Sequence, residues 1–267
     1  MATSMRSTGT GALRHLSVIA FVVLIVVYLV VLQGLGAVLS IGQDIEYGAP
    51  TDIDEMWRTI LVPVAVSVVL VYAVVAWLGW WRPVWVDDRP VQRWLIIVPV
   101  LMVLSVVAVT DYRSLADHGL VFTGLLLLGS LLVGLGEETM FRGIGVTCFR
   151  SNGFSEGKVA LWSTLLFGLA HASNLFTEGS QALVQVGVTM VAGYFFYLIR
   201  RRTGGLMVPA IVHGLWDFSL ISGYTNPEET SPLTFIAIAT MIILAIVVIV
   251  RRHHIEPVTA MPRPDAE

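Results

Sequence analysis

Charge is scarce in this chain. Asp, Glu, Lys and Arg make up 13% of its 267 residues, where a soluble domain of that length carries about 25%. With 56% hydrophobic residues, this excludes an ordinary soluble domain. Cysteine is nearly absent. Cys148 stands alone, which excludes an intramolecular disulfide and a thiolate-rich metal site. No histidine is near it in sequence, so it reads as a packed small hydrophobe. No basic patch with interleaved aromatics occurs, which removes nucleic acid as a partner. No internal repeat suggests an inverted-repeat transporter. The zinc-protease pattern His-Glu-x-x-His is missing. No pair of intramembrane aspartates exists to share a proton. One G-x-S-x-G stretch is present, at residues 153–157. It lies in a polar loop with no strand before it, so it is discarded as a nucleophile elbow.

Long apolar runs are what the chain does have. They predict spans at residues 16–39, 57–81, 92–110, 119–150, 158–174, 181–199, 206–223 and 233–250. The first is long enough to remain as an anchor rather than act as a signal peptide. The expected fold is all-α: a polytopic, eight-transmembrane-helix bundle with an intramembrane polar cavity. It divides into a cytoplasmic tail (1–15), three N-terminal membrane helices (16–118), a core of helices four to seven (119–223), a loop with helix eight (224–252) and a cytoplasmic tail (253–267). The tryptophans Trp77, Trp80, Trp81, Trp85 and Trp94 cluster where the second and third spans meet one interface, as an aromatic belt does.

Charge in the loops gives orientation. One set of loops and tails holds Arg6, Arg14, Arg82, Arg89, Arg93, Arg150, Lys158, Arg200, Arg201, Arg202, Arg251, Arg252 and Arg263. The other holds only Arg58 and Arg113, with Asp44, Glu46, Asp52, Asp54, Glu55, Asp111, Asp117, Glu178, Glu228 and Glu229. The positive-inside rule places the first set, and both termini, in the cytoplasm. The expected location is a bacterial cell membrane, crossed several times, with the lipid bilayer as one partner. Arg200 to Arg202 read as topology determinants before they read as a lipid-headgroup site.

A few ionisable groups lie inside the apolar runs: Glu137, Glu138, Arg142, His171, His213 and Asp217. Such groups are costly at membrane depth and mark functional sites by default. Counted from the arginine-rich ends, Glu137 and His171 are both about 20 Å deep, His213 about 16 Å and Asp217 about 22 Å. Helices running in alternating directions thus bring them to one level. Residues four apart share a helix face, so His213 and Asp217 point the same way. Glu138 and Arg142 do too, and pair as a structural brace. Glu137 is turned about 100° from Glu138 and faces the cavity. Phe167, one turn before His171, wedges that ring in place.

A carboxylate and two neutral imidazoles around one water form a hydrolytic set. Glu137 serves as general base, His171 holds the same water, and His213 donates to the oxyanion. Asp217 fixes the His213 tautomer or, as a second reading, contacts the water. The same residues Glu137, His171 and His213 are also a zinc ligand set, with one position open. Both a Zn2+-dependent and a metal-free mechanism fit.

The pattern Glu-Glu-x-x-x-Arg at 137–142, Phe-x-x-x-His at 167–171 and His-x-x-x-Asp at 213–217 resembles the CPBP (Abi) family. That family groups type II CAAX prenyl endopeptidases with bacteriocin-processing and immunity proteins. The resemblance covers residues 119–223. It implies an eight-helix intramembrane endopeptidase, often labelled a metalloprotease, acting on a membrane-associated peptide or protein. It also implies water activation by Glu137 and His171, and oxyanion binding by His213 and Asp217. Asp217 departs from the Asn typical of eukaryotic CAAX members, and an ionised Asp cannot donate a hydrogen bond. A catalytically silent scaffold or immunity protein of the same fold is the alternative, and a proton-coupled transporter a third reading.

Overall fold

The computed structural model describes residues 13–43, 50–175, 179, 181–224, 232–251 and 255. The expectations for Arg6, Asp44, Glu46, Glu178, Glu228, Glu229, Arg252 and Arg263 lie outside these residues. The described chain is helical, apart from one isolated antiparallel bridge between Val86 and Gly205. Its helices are α1 (Val18–Leu39), α2 (Ile53–Leu78), the short α3 (Trp81–Trp85), α4 (Arg93–Val109), α5 (Tyr112–Ser151), α6 (Glu156–Ala170), α7 (Gln181–Thr203), α8 (Met207–Tyr224) and α9 (Pro232–Val250).

Local sequence sets these ends. Ser17 caps α1 by accepting from the Ala20 amide. Asp52 and Asp111 do the same for α2 and α5. Gly79 closes α2 in the left-handed conformation that glycine adopts freely. Gly119, at φ 84, breaks α5 near its start. The expected start of the fourth span at this glycine therefore marks a kink rather than a helix end.

The chain is an integral membrane protein. Among the described residues, α1, α2, α5 and α7 are long and apolar enough to cross a bilayer. Their outer faces carry bare apolar side chains such as Ile19, Val69, Leu120 and Val184, which only a lipid solvent accommodates at this density. Eight spans were expected, and the described residues form nine helices. α3 is an extra turn between spans. α4 and the apolar part of α9 are shorter, and α6 and α8 spend several positions on polar site residues.

The tryptophan cluster divides. Trp77 and Trp81 are exposed, whereas Trp80 is buried, its indole donating to the Arg14 carbonyl. Cys148 is buried and its thiol donates to the Leu16 carbonyl.

The arginine-rich end of the bundle is a buried network. α7 runs past its expected end at 199 as far as Thr203. Arg200 and Arg201 are fully buried rather than turned to headgroups. Arg200 bonds Asp87 and the carbonyls of Pro83 and Val84. Arg201 bonds the carbonyls of Arg89 and Ile255. Arg150 pairs with both Asp87 and Glu156, and Arg89 also pairs with Glu156. Burial works to raise the Asp87 carboxyl, but Arg150 and Arg200 outweigh it and hold it below its ordinary value. Burial opposes ionisation of Glu156 too, yet hydrogen bonding to Arg150 prevails and pushes it down to about 2.

Candidate active site

The α5–α8 contact builds the site. These two helices pack along each other more extensively than any other pair, because glycines face each other where they cross. A Cβ on Gly134 would lie 2.3 Å from the Ala210 carbonyl oxygen, and one on Gly214 would lie 2.7 Å from the Leu131 Cα. Only bare backbone fits there. Glu138 follows Gly134 by one turn, and His213 immediately precedes Gly214. The close crossing brings the two side chains together.

His213 Nδ1 lies 3.0 Å from Glu138 Oε1. A carboxylate oxygen accepts, so Nδ1 carries the proton and donates. On the far side of the ring, Nε2 faces Asp217 Oδ2 at 3.5 Å and Glu137 Oε2 at 3.8 Å. Three carboxylates therefore surround one imidazole. The sequence reading gave Asp217 the task of fixing the His213 tautomer. The geometry corrects this: Glu138 holds Nδ1, and Asp217 lies on the other side. An i+4 carboxylate on a helix is too short to wrap around to Nδ1, whereas Glu138 approaches from a second helix.

Glu138 also takes the expected arginine. Arg142 Nη1 is 3.0 Å from the same Oε1, and both side chains are fully buried. Between them begins a π-helical turn, Thr139–Gly145. Such widened turns recur at functional sites. The Arg142 guanidinium lies over the Phe167 ring, Cζ to centroid 4.0 Å. Gly193 of α7 permits this, since a Cβ there would come within 2.7 Å of Arg142 Nη2.

Phe167 ties the arrangement together. Its ring meets His171 edge-on at 4.9 Å and His213 at 5.7 Å. Phe196 stacks on His213 at 4.5 Å. Sequence reasoning missed Phe196, since nothing in the sequence sets it apart from its aromatic neighbours Tyr194, Phe195 and Tyr197. His171 is placed at the C-cap of α6, where the helix tightens into a 3-10 turn. Its Nδ1 lies 2.9 Å from the Phe167 carbonyl. A carbonyl accepts only, so the proton is on Nδ1 and Nε2 keeps a lone pair. Among the described contacts no hydrogen bond or ion pair joins His171 to Glu137. It belongs to the group through Phe167. Glu137 and Asp217 are the accessible acids, their side chains 14% and 23% exposed, while Glu138 is sealed.

A metal would need Glu137, His171 and His213 together. Among the described residues no three His, Cys, Asp or Glu side chains stand at the spacing that holds an ion. His171 stands apart from Glu137, although His213 and His171 both keep Nε2 clear of their Nδ1 bonds, as metal-bound imidazoles do. No step below is routed through a metal.

Residues 119–219 match the family model described as type II CAAX prenyl endopeptidase Rce1-like. The CPBP resemblance holds. The Rce1-like segment begins at the Gly119 kink and ends at Ser219 of α8. It contains Glu137, Glu138, Arg142, Phe167, His171, His213 and Asp217. An uncharacterized 24.3 kDa protein of Escherichia coli is 40% identical over 86 residues, 31% of this chain. The chain spans 36% of that relative's length. No solved structure matches the chain.

Proposed function

We propose that this protein is an intramembrane endopeptidase that hydrolyses a peptide bond in a membrane-associated protein or peptide. The observation that carries the reading is His213 among Glu137, Glu138 and Asp217, inside the segment that matches the Rce1-like model. A purely structural brace needs one acid for Arg142. It does not need two further carboxylates left accessible beside an imidazole.

The chemistry divides the work. Glu137 takes a proton from a water while that water attacks the scissile carbonyl, and later returns the proton to the leaving amine. His171 Nε2, the lone-pair nitrogen, accepts a hydrogen bond from the same water and sets its direction. His213, with Nδ1 held by Glu138, turns Nε2–H toward the oxygen that becomes the oxyanion. Asp217, beside Nε2, accepts from Nε2–H until the oxyanion forms. Glu138 and Arg142 hold the pieces in register. The topology that suits this chemistry has eight spans, both termini in the cytoplasm and the site opening on the arginine-rich side. A prenylated CAAX protein is the substrate class that the family description names.

Cells carrying the wild type and cells carrying Glu137→Gln test this. Membrane peptides that appear only with the wild type are the expected products. Identical peptide sets, with equal amounts of both proteins, would leave the scaffold reading in its place.

A further inference from the structure

His171 ends a helix, and what fixes the turn after it decides where the imidazole sits. Counted along α6 from Lys158, the turn His171–Asn174 lies about 20–24 Å in, a depth that a ~30 Å hydrocarbon core covers and where exposed polar groups need partners within the protein. Ser173 donates to the Ala170 carbonyl at 2.6 Å. Its oxygen is then left to accept, and Gln33 Nε2 of α1 lies 2.6 Å away. The second proton on that nitrogen reaches Asn174 Oδ1 at 3.1 Å. Asn174 Nδ2 in turn donates to Gln185 Oε1 of α7 at 2.8 Å. In each of these four bonds a donor meets an acceptor. Gln33 is one of few polar residues in an otherwise apolar helix, and α1 lies wholly outside the Rce1-like segment at 119–219.

We propose that Gln33 is a positioning residue for His171: its amide clamps the Ser173–Asn174 turn and so sets the place of the imidazole against Phe167. The proposal rests on the role given to His171 above. It makes the N-terminal helix part of the working site rather than packing around it. α6 is held on its other side by Gly168, where a Cβ would lie 2.2 Å from Met190 Cγ of α7. The end of α6 is thus fixed between α7 and α1, and Gln33 supplies the α1 half with two hydrogen bonds.

The test is Gln33→Met, which keeps the length and removes the donor. Two readouts are taken on folded protein in detergent. In the first, the imidazole Cε1–H signals are followed by NMR, assigned with His171→Gln and His213→Gln. The His171 signal, shaped by the Phe167 ring, is expected to move, and the His213 signal to stay. The second is cleavage: kcat should fall about 10- to 100-fold, as a small misplacement of a reacting group costs, with KM within about twofold. Ser173→Ala, which removes one of the two acceptors, should show the same pattern more weakly and covers the case in which Gln33→Met fails to fold. An unmoved His171 signal with unchanged kcat overturns the proposal. So does a common shift of both histidine signals, which marks general loosening. If the wild type cleaves nothing, the endopeptidase reading fails, and the NMR arm still decides the clamp.

Discussion

Glu138 Oε1 serves Arg142 and His213 at once. The arginine half was legible in the sequence, because residues four apart share a helix face. The histidine half was not, because a contact between residues 75 apart depends on how two helices cross. This double use separates the neighbours' roles. Arg142→Ala leaves a sealed carboxylate with one partner fewer, a loss of about 3–5 kcal/mol for a buried pair. Folded yield and thermal midpoint should drop, whereas Glu137→Gln should leave both near wild type. Equal midpoints for the two variants would show that Arg142 is not a brace. Asp217→Asn is the complementary case. With Nδ1 held by Glu138, the His213 ring stays in place after the change, and the new amide can donate to the oxyanion. Turnover should stay within about tenfold, or about 1.4 kcal/mol of barrier. A loss of a thousandfold or more would show that the Asp217 charge itself is required.

Helices place these side chains, and the glycines at the α5–α8 crossing place the helices. Gly134→Ala puts a Cβ against the Ala210 carbonyl and must push α8 away from α5. His213 then leaves Glu138, so cleavage should be lost even in the fraction that still folds. Wild-type turnover in Gly134→Ala would mean that the crossing does not set the site. The apolar runs showed most helix ends to within a few residues, since hydropathy and caps are local signals. They did not show the short α3 or the π-turn that holds Arg142. Nor did they show that His171 is a C-cap, since a change from α-helix to 3-10 turn leaves the pattern of apolar residues intact. The depth argument still brought Glu137, His213 and Asp217 to one level, because arginines mark the ends from which depth is counted.

At the scale of the molecule, the buried ion network ties the loop of residues 83–93 to the ends of α5, α6 and α7. Its carboxylates give a pH dependence. Glu156 has a folded value near 2 against about 4.3 unfolded, and Asp87 is also depressed. A depressed carboxylate stabilises the fold fully above its unfolded value, and that stabilisation is lost as pH falls toward the folded value. The thermal midpoint should therefore hold from pH 7 to about 5 and fall steadily from about 4.3 toward 2. Glu156→Gln should start lower at pH 7 and fall less steeply, with Asp87 supplying the remaining slope. A wild-type midpoint unchanged between pH 7 and 3 would contradict this role for the network.

The central claim is that Glu137 is the general base of an intramembrane peptide hydrolysis. The most direct measurement reconstitutes purified wild type and Glu137→Gln in lipid vesicles and offers each a membrane-anchored peptide that the wild type cleaves. The account predicts matching thermal midpoints, cleavage by the wild type and none above background by Glu137→Gln. Cleavage by the variant at the wild-type rate would contradict it.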